Sequence, residues 1–136
     1  MARDFRKIKA WQLADDLTVG VYSVTKSFPR EEMYGLVSQL RRAASSVPAN
    51  IAEGANRGTK KDFLRFLNIA RGSLAETEYF LHPSKRLGYL SDAEYVTIEA
   101  LRVQTAATLN GLIKAVESET GVVIKSVGFL VTLLGF

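Results

Sequence analysis

The sequence predicts an all-α protein, an antiparallel up-down-up-down four-helix bundle with an extra apolar C-terminal tail. Four segments repeat apolar residues at spacings of three and four, which is the pattern of a helix with one buried face. The connections between them are short, so consecutive helices should be antiparallel neighbours. The four segments show no strand pattern. We expect residues 1–120 to form one bundle domain and residues 121–136 to form the tail.

The first helix is predicted over about residues 8–27. Pro29 should end it, because a residue that precedes proline is disfavoured in the α region. Trp11, Thr18 and Tyr22 lie on an adjoining face and indicate a second contact surface. The predicted core stripe consists of Ala10, Leu13, Ala14, Leu17, Val21 and Val24.

The second helix is predicted to start near Glu31 or Glu32, whose charge suits the first turn of a helix. Pro48 lies within its pattern and cannot donate a hydrogen bond to Ala44. We expect one kinked helix, since the apolar period stays in phase across the proline; two shorter helices are the alternative. A narrow polar stripe follows the same helix: Gln39, Arg42, Ser46, Asn50, Glu53 and Arg57.

Capping residues predict where the last two helices begin. Thr59 with Asp62 opens the third helix, and Ser91 with Glu94 opens a fourth that extends to about residue 118. Pro83 should either kink the third helix or end it near residue 81.

The tail is almost wholly apolar over residues 122–136, yet shorter than the roughly 20 residues that span a bilayer. We therefore expect no membrane association. Packing on a neighbouring subunit and an aggregation-prone loose end both stay open.

Composition narrows the classes of function. The chain has 136 residues, a net charge of +4 and no cysteine. The lack of cysteine excludes disulfides, thiolate nucleophiles and cysteine metal sites, and it fits the cytoplasm. The charged N-terminal stretch lacks the apolar region of a secretory signal. Residues 41–71 hold seven basic and two acidic residues, a local charge of +5. This charge favours partners that carry phosphates or carboxylates.

The best candidates for phosphate contacts are Lys60, Lys61 and Arg65, which should be exposed around the turn that opens the third helix. A merely solvated turn is the alternative. The N-terminal arm, residues 3–9, is similarly basic. Phe63 and Phe66 interleave with these cations, but their helical spacing predicts core positions. The segment adds three further candidate nucleic-acid contacts: Arg41, Arg57 and Arg71.

Only Tyr79 is expected to present a ring away from the core of the third helix, so binding should be directed at the phosphate backbone with little sequence readout.

The polar stripe predicts a surface for self-association. Lone charges are rarely buried unpaired, so charged residues on this stripe should pair within an oligomer. The predicted interface consists of Arg42, Asn50 and Glu53, together with Trp11 and Tyr22.

The sequence gives no support for an enzyme. His82 is the single histidine and has no predictable partner, and the Glu-x-x-His motifs of a di-metal bundle are absent. Gly54 and Gly58 follow no strand and precede no Gly-Lys-Ser/Thr sequence, so they do not form a phosphate loop. We expect no catalytic residue, no cofactor and no bound metal.

A long motif resembles a known family. It comprises Phe28-Pro29, Glu32 and Tyr34-Gly35-Leu36, then QLRRAASSVPANIAEG from Gln39, Arg57, FL-x-IARGSLAE and LGYL. These residues resemble the small bacterial four-helix bundles known as 23S rRNA intervening sequence proteins, over about residues 5–118. The fold includes the accessory variability protein of diversity-generating retroelements. His82-Pro83 and the apolar tail depart from the family pattern.

The resemblance implies a ring-like homopentamer that binds nucleic acid through positive surfaces, and retroelement members also contact a reverse transcriptase. We therefore expect a non-enzymatic, oligomeric bundle protein that binds RNA or DNA phosphates. The alternative is a self-assembling protein-interaction scaffold with no nucleic-acid role, whose charge recruits an acidic protein partner.

Overall fold

A computed structural model describes residues 3–119 of the chain, and these residues form four helices with no strand among them. The all-α prediction is confirmed, whereas the predicted tail lies outside the described residues. The helices are α1 (Lys9–Thr25), α2 (Ser38–Ala55), α3 (Lys60–Arg86) and α4 (Asp92–Glu117). Shorter helical turns cover Phe5–Lys7, Arg30–Glu32 and Met33–Val37.

Each helix packs mainly on two others, so that α1 contacts α2 and α4, and α3 also contacts α2 and α4. Short connections make consecutive helices antiparallel. The start of α1, the end of α2, the start of α3 and the end of α4 therefore meet at one end, which we call the basal end. The other end is the apical end. No helix within residues 3–119 is both long and apolar enough to cross a membrane.

Two helix starts were predicted correctly from their capping residues. The Thr59 hydroxyl accepts a hydrogen bond from the Asp62 amide at 3.1 Å. Ser91 and Glu94 form a full capping box, in which each side chain accepts from the other residue's amide. These bonds satisfy amides that have no partner inside the helix.

The start of α2 was predicted too early. A 3-10 turn and a π-helical turn occupy residues 30–37, and Gly35 has non-helical dihedral angles of φ −112° and ψ −109°. Glu32 caps this segment, since its carboxylate accepts from the Leu36 amide at 3.4 Å and from the Tyr89 hydroxyl at 2.9 Å. The hydrogen bond to Glu32 raises the pKa of Tyr89 above its ordinary value. Two separate parts of the long motif thus meet at the apical end.

Helix α3 passes through Pro83 and ends at Arg86, so of the two alternatives that the sequence left open, termination near residue 81 is wrong. The Ser84 hydroxyl donates to the Phe80 carbonyl at 2.7 Å, one turn back across the proline. Gly88, at φ +78°, then ends the segment in the left-handed region that glycine favours.

Helix α4 is tied to α3 by Arg102, to which the sequence analysis gave no role. This residue is buried, and its guanidinium forms ion pairs with Glu99 at 2.6 Å and Glu78 at 3.1 Å. Paired in this way, Arg102 can be buried between two helices without an unsatisfied charge.

Pro48 lies inside a continuous α2, which confirms a single helix across the proline. The Ala44 carbonyl has lost its usual amide donor. Thr18 of α1 compensates, because its hydroxyl lies 3.1 Å from that carbonyl and 2.9 Å from the Ala14 carbonyl of its own helix. The one hydroxyl hydrogen of Thr18 is shared between the two carbonyls, so the neighbouring helix replaces part of the hydrogen bonding that proline removes.

We predict that Thr18→Val lowers the free energy of unfolding by about 1–2 kcal/mol, because it leaves the Ala44 carbonyl without this donor. In a Pro48→Ala background, the new amide at position 48 can donate to Ala44, and the same substitution should cost less. A urea-unfolding double-mutant cycle measures this coupling. Equal costs of Thr18→Val in both backgrounds would contradict the compensation.

Candidate nucleic-acid interface

The basal end brings together two basic segments that are far apart in the sequence. The Arg3 amide donates to the Ala55 carbonyl at 2.7 Å, and the Arg3 guanidinium lies 4.4 Å from the centroid of the Phe63 ring. The N-terminal arm therefore lies beside the turn between α2 and α3. The exposed cations of this end are Arg6, Lys7, Lys9, Arg57, Lys61, Arg65 and Lys114.

The basal end has an excess of positive charge. Residues 3–9, 53–65 and 114–119 include nine basic and five acidic residues, a net charge of +4. Three exposed pairs occur within them: Arg6–Asp4 at 3.8 Å, Arg65–Asp62 at 4.0 Å and Arg57–Glu53 at 2.5 Å. Exposed pairs contribute only about 0–1 kcal/mol each, so these cations can exchange a carboxylate for a phosphate at little cost.

Lys60 does not have the exposed position that we expected. It is half-buried, and its ammonium donates to the Glu117 carbonyl at 3.0 Å and to the Glu119 carbonyl. The last carbonyls of a helix lack intrahelical donors and carry partial negative charge, which attracts a nearby cation. Lys60 thus holds the end of α4 against the start of α3.

Glu119 is the buried acidic residue of the basal end, with 3% of its surface exposed. One carboxylate oxygen accepts from Arg3 at 3.5 Å, and the other has no hydrogen-bond partner among the described residues. Burial raises the pKa of Glu119, although Arg3 and Lys60 act in the opposite direction. Burial likewise lowers the pKa of Arg3. Arg3, Lys60 and Glu119 form a partly buried cluster of charged residues, which we call the basal clasp.

Two of the predicted contacts lie away from the basal end. Arg41 is near the start of α2, where its guanidinium donates to the Thr25 hydroxyl at 2.9 Å and lies 4.6 Å from the Tyr22 ring centroid. Arg71 donates to the Asn68 side chain at 2.6 Å. It is about 9 Å further along α3 than Arg65 and about 120° around the helix. These two arginines do not share one surface with Lys61.

Phe63 is buried as predicted, but Phe66 is only half-buried, so its predicted core position is wrong. Phe66 faces the last turn of α2, close to the open end of the bundle, where fewer neighbours can cover a ring. The Cζ atoms of Arg57 and Arg65 lie 5.0 and 4.4 Å from its ring centroid.

Helix α2 approaches these two rings at Gly54. A Cβ atom at that position would lie 2.8 Å from Phe66 Cβ and 3.1 Å from Phe63 Cδ1. The missing side chain therefore allows the close packing of α2 against the first turns of α3.

The sequence profile of the 23S rRNA-intervening sequence protein family matches residues 6–111. The chain belongs to this family. A solved member of the S23 ribosomal protein family from Bacteroides thetaiotaomicron, described as a protein of unknown function, is 26% identical. The similarity covers 77% of this chain and 95% of that one, with a TM-score of 0.72. No curated protein matches the chain.

In this family member, the predicted self-association residues are distributed over two helices. Arg42 faces a groove of about 420 Å³ between α2 and α3 that Glu76 lines from the other side. Asn50 donates to the Ser46 carbonyl at 2.8 Å, and Glu53 pairs with Arg57. The remaining groove residues are small or polar: Gln39, Ala43, Ser45, Ser46, Ala49 and Ser73.

The other two predicted interface residues belong to α1. Trp11 packs edge-on against Phe5, with ring centroids 4.9 Å apart, whereas Tyr22 lies under Arg41 and is 43% exposed. They are about 16 Å apart along the helix. Of the five predicted interface residues, only Arg42 lines the groove.

Sequence reasoning missed Glu119, and it assigned Lys60 to phosphate contacts where the structure places it in the basal clasp. Glu119 follows the last turn of α4 in a polar run, so its spacing gave no sign of burial. The Arg57–Phe66–Arg65 contact was also missed, although the sequence does show these cations near an aromatic residue. Only the packing of α2 against α3 reveals which ring they share.

We predict opposite effects for two glycine-to-alanine substitutions. Gly54→Ala should lower the free energy of unfolding by about 1–3 kcal/mol, since the new methyl group meets the fixed Cβ of Phe66. Gly72→Ala should raise it by about 0.5–1 kcal/mol, because no atom lies within 4 Å and alanine is the better helix former. Urea unfolding compares the two. Similar effects would contradict the close packing at Gly54.

We also predict a pH-dependent effect of Glu119. Its pKa is higher in the folded protein than in the unfolded chain, so the folded state binds the proton more tightly. The stability of the wild type relative to Glu119→Gln should therefore rise as pH falls from 7 through the raised pKa. Unfolding by urea at a series of pH values measures the difference. A difference that is constant with pH would contradict burial of the charged carboxylate.

Proposed function

We propose that this protein is a non-enzymatic, oligomeric member of the family that binds phosphates of RNA or DNA through its basal end. The observation that carries the proposal is the meeting of two basic segments, the N-terminal arm and the α2–α3 turn, on one exposed surface. We assign it no reaction and no cofactor, because phosphate contacts require neither.

The basal cations form two groups that differ in their exposure to solvent. Arg3 and Lys60 belong to the basal clasp, which holds the surface in shape. The exposed cations are free to release counterions when they neutralise phosphates, and this release favours binding at low salt. Because such contacts read the backbone rather than base edges, little sequence preference is expected from them.

The names of the family and of its solved member favour RNA as the first ligand to test. The family name refers to an intervening sequence of 23S rRNA, and the solved relative is described as belonging to a ribosomal protein family. These names concern the relatives. They are our reason for proposing structured RNA, ahead of duplex DNA, as the ligand of this chain.

We predict that Lys7→Glu/Lys61→Glu, with one change in each basic segment, weakens binding to a structured RNA by at least about tenfold at low salt. It should also make the slope of log affinity against log salt shallower by about two units, since roughly one counterion is released per phosphate contact. Arg30→Glu/Arg86→Glu is the matched control, because it changes net charge equally among exposed apical residues.

Fluorescence anisotropy at several salt concentrations measures both variants, and light scattering checks that their oligomeric mass equals that of the wild type. Equal loss in the two variants would show an effect of overall charge and contradict a basal site. If the wild type binds neither RNA nor DNA at low salt, the proposal fails.

A self-assembling scaffold is the second candidate, and two surface features favour it. Val19, Val96 and Val103 are more than half exposed on the outer sides of α1 and α4. On the other side of the bundle, Arg42 and Glu76 face each other across the groove. Apolar side chains and a groove with a charged rim are typical of surfaces that bind protein.

A further inference from the structure

Two arginines from different sides of the α2–α3 turn contact the ring of Phe66. Arg57 follows the end of α2 and Arg65 lies in the second turn of α3, yet both guanidiniums lie within 5.0 Å of the same ring centroid. We call these three residues the stacking layer. Contacts of this kind are attractive because the face of an aromatic ring carries negative charge.

The arginines of the layer are oriented but still accessible. Their side chains are 43% and 59% exposed, respectively. A carboxylate lies beside each one, Glu53 next to Arg57 and Asp62 next to Arg65. The ring and the carboxylates together restrict the rotation of each guanidinium, so less conformational freedom is lost when a ligand binds.

We propose that the stacking layer is a subsite for an unpaired nucleobase, so that the basal end selects single-stranded segments or loops over continuous duplex. This inference rests on the proposed nucleic-acid function and adds the form of nucleic acid that the site takes. Guanidinium planes and aromatic rings both stack on bases, and they accept every base because every base has a flat face.

The position of Lys61 supports the same ligand. Lys61 and Arg65 are four residues apart on α3, so they share one face of the helix, and both are exposed. A strand whose base stacks on the layer would place an adjacent phosphate within reach of Lys61. In a duplex the bases stack on one another, which leaves only the phosphates for this surface.

The test compares anisotropy titrations of a single-stranded oligonucleotide and a duplex of equal length. Arg57→Lys/Arg65→Lys keeps both positive charges but removes both planar guanidinium groups. We expect it to weaken binding of the single strand by about tenfold, while its salt slope and the affinity for duplex stay unchanged. Phe66→Leu should give the same selective loss, because it keeps an apolar side chain of similar size and removes the ring.

Arg71→Lys is the matched control, since Arg71 is exposed on α3 and lies outside the layer. Thermal unfolding checks that each variant is folded. If the double variant binds both nucleic acids as tightly as the wild type, or loses affinity for both equally, the stacking subsite is overturned and the phosphate-binding function stands. If the wild type binds neither, both proposals fail together.

Discussion

Pro48 has no amide hydrogen, and the Ala44 carbonyl that it leaves without a donor links α2 to α1. Thr18 of α1 supplies the donor for the Ala44 carbonyl, so the proline that weakens α2 also fixes its contact with α1. On the opposite side, Ser46 and Ser73 share a hydrogen bond of 2.8 Å, and Gly54 lets α3 approach closely. Contacts with α1 and α3 thus hold α2 on both sides, ahead of the α2–α3 turn. The candidate interface is built on that turn.

The cations of the basal end fall into two groups, those bonded inside the fold and those exposed to solvent. Arg3 and Lys60 are used inside the molecule, where they approach Glu119 and the last carbonyls of α4. Burying Glu119 has a cost, which its raised pKa reflects, and the two cations offset part of that cost. Of the other cations of the basal end, Arg6, Arg57 and Arg65 pair with carboxylates at the surface. Charge alone therefore does not identify a binding residue; burial and hydrogen-bond partners decide its role.

Local patterns in the sequence predicted the fold well. Helical spacing gave four helices, and the residues that cap α3 and α4 were identified because their bonds form within four residues. The start of α2 at Ser38 was missed, and the sequence left open whether α3 continues past Pro83. The turns before α2 depend on the dihedral angles of Gly35, and the Ser84 hydroxyl bonds back to the Phe80 carbonyl across Pro83; apolar spacing encodes neither feature. The burial of Glu119 could not be predicted from local spacing either, because its partners, Arg3 and Lys60, are distant in the sequence.

The candidate surface does not coincide with the basic segment, residues 41–71, because folding separates residues that are close in the sequence. Residues 41–71 carry +5, but a helix spreads its side chains around its axis and along its length, which takes Arg41 to the apical end and Arg71 to another face. Residues 3–9 add their basic side chains to the basal end instead, because antiparallel packing puts the start of α1 beside the end of α2. The isolated α2–α3 hairpin would therefore lack five of the nine basal cations. A phosphate site at this end belongs to the folded bundle and not to any continuous stretch of its sequence.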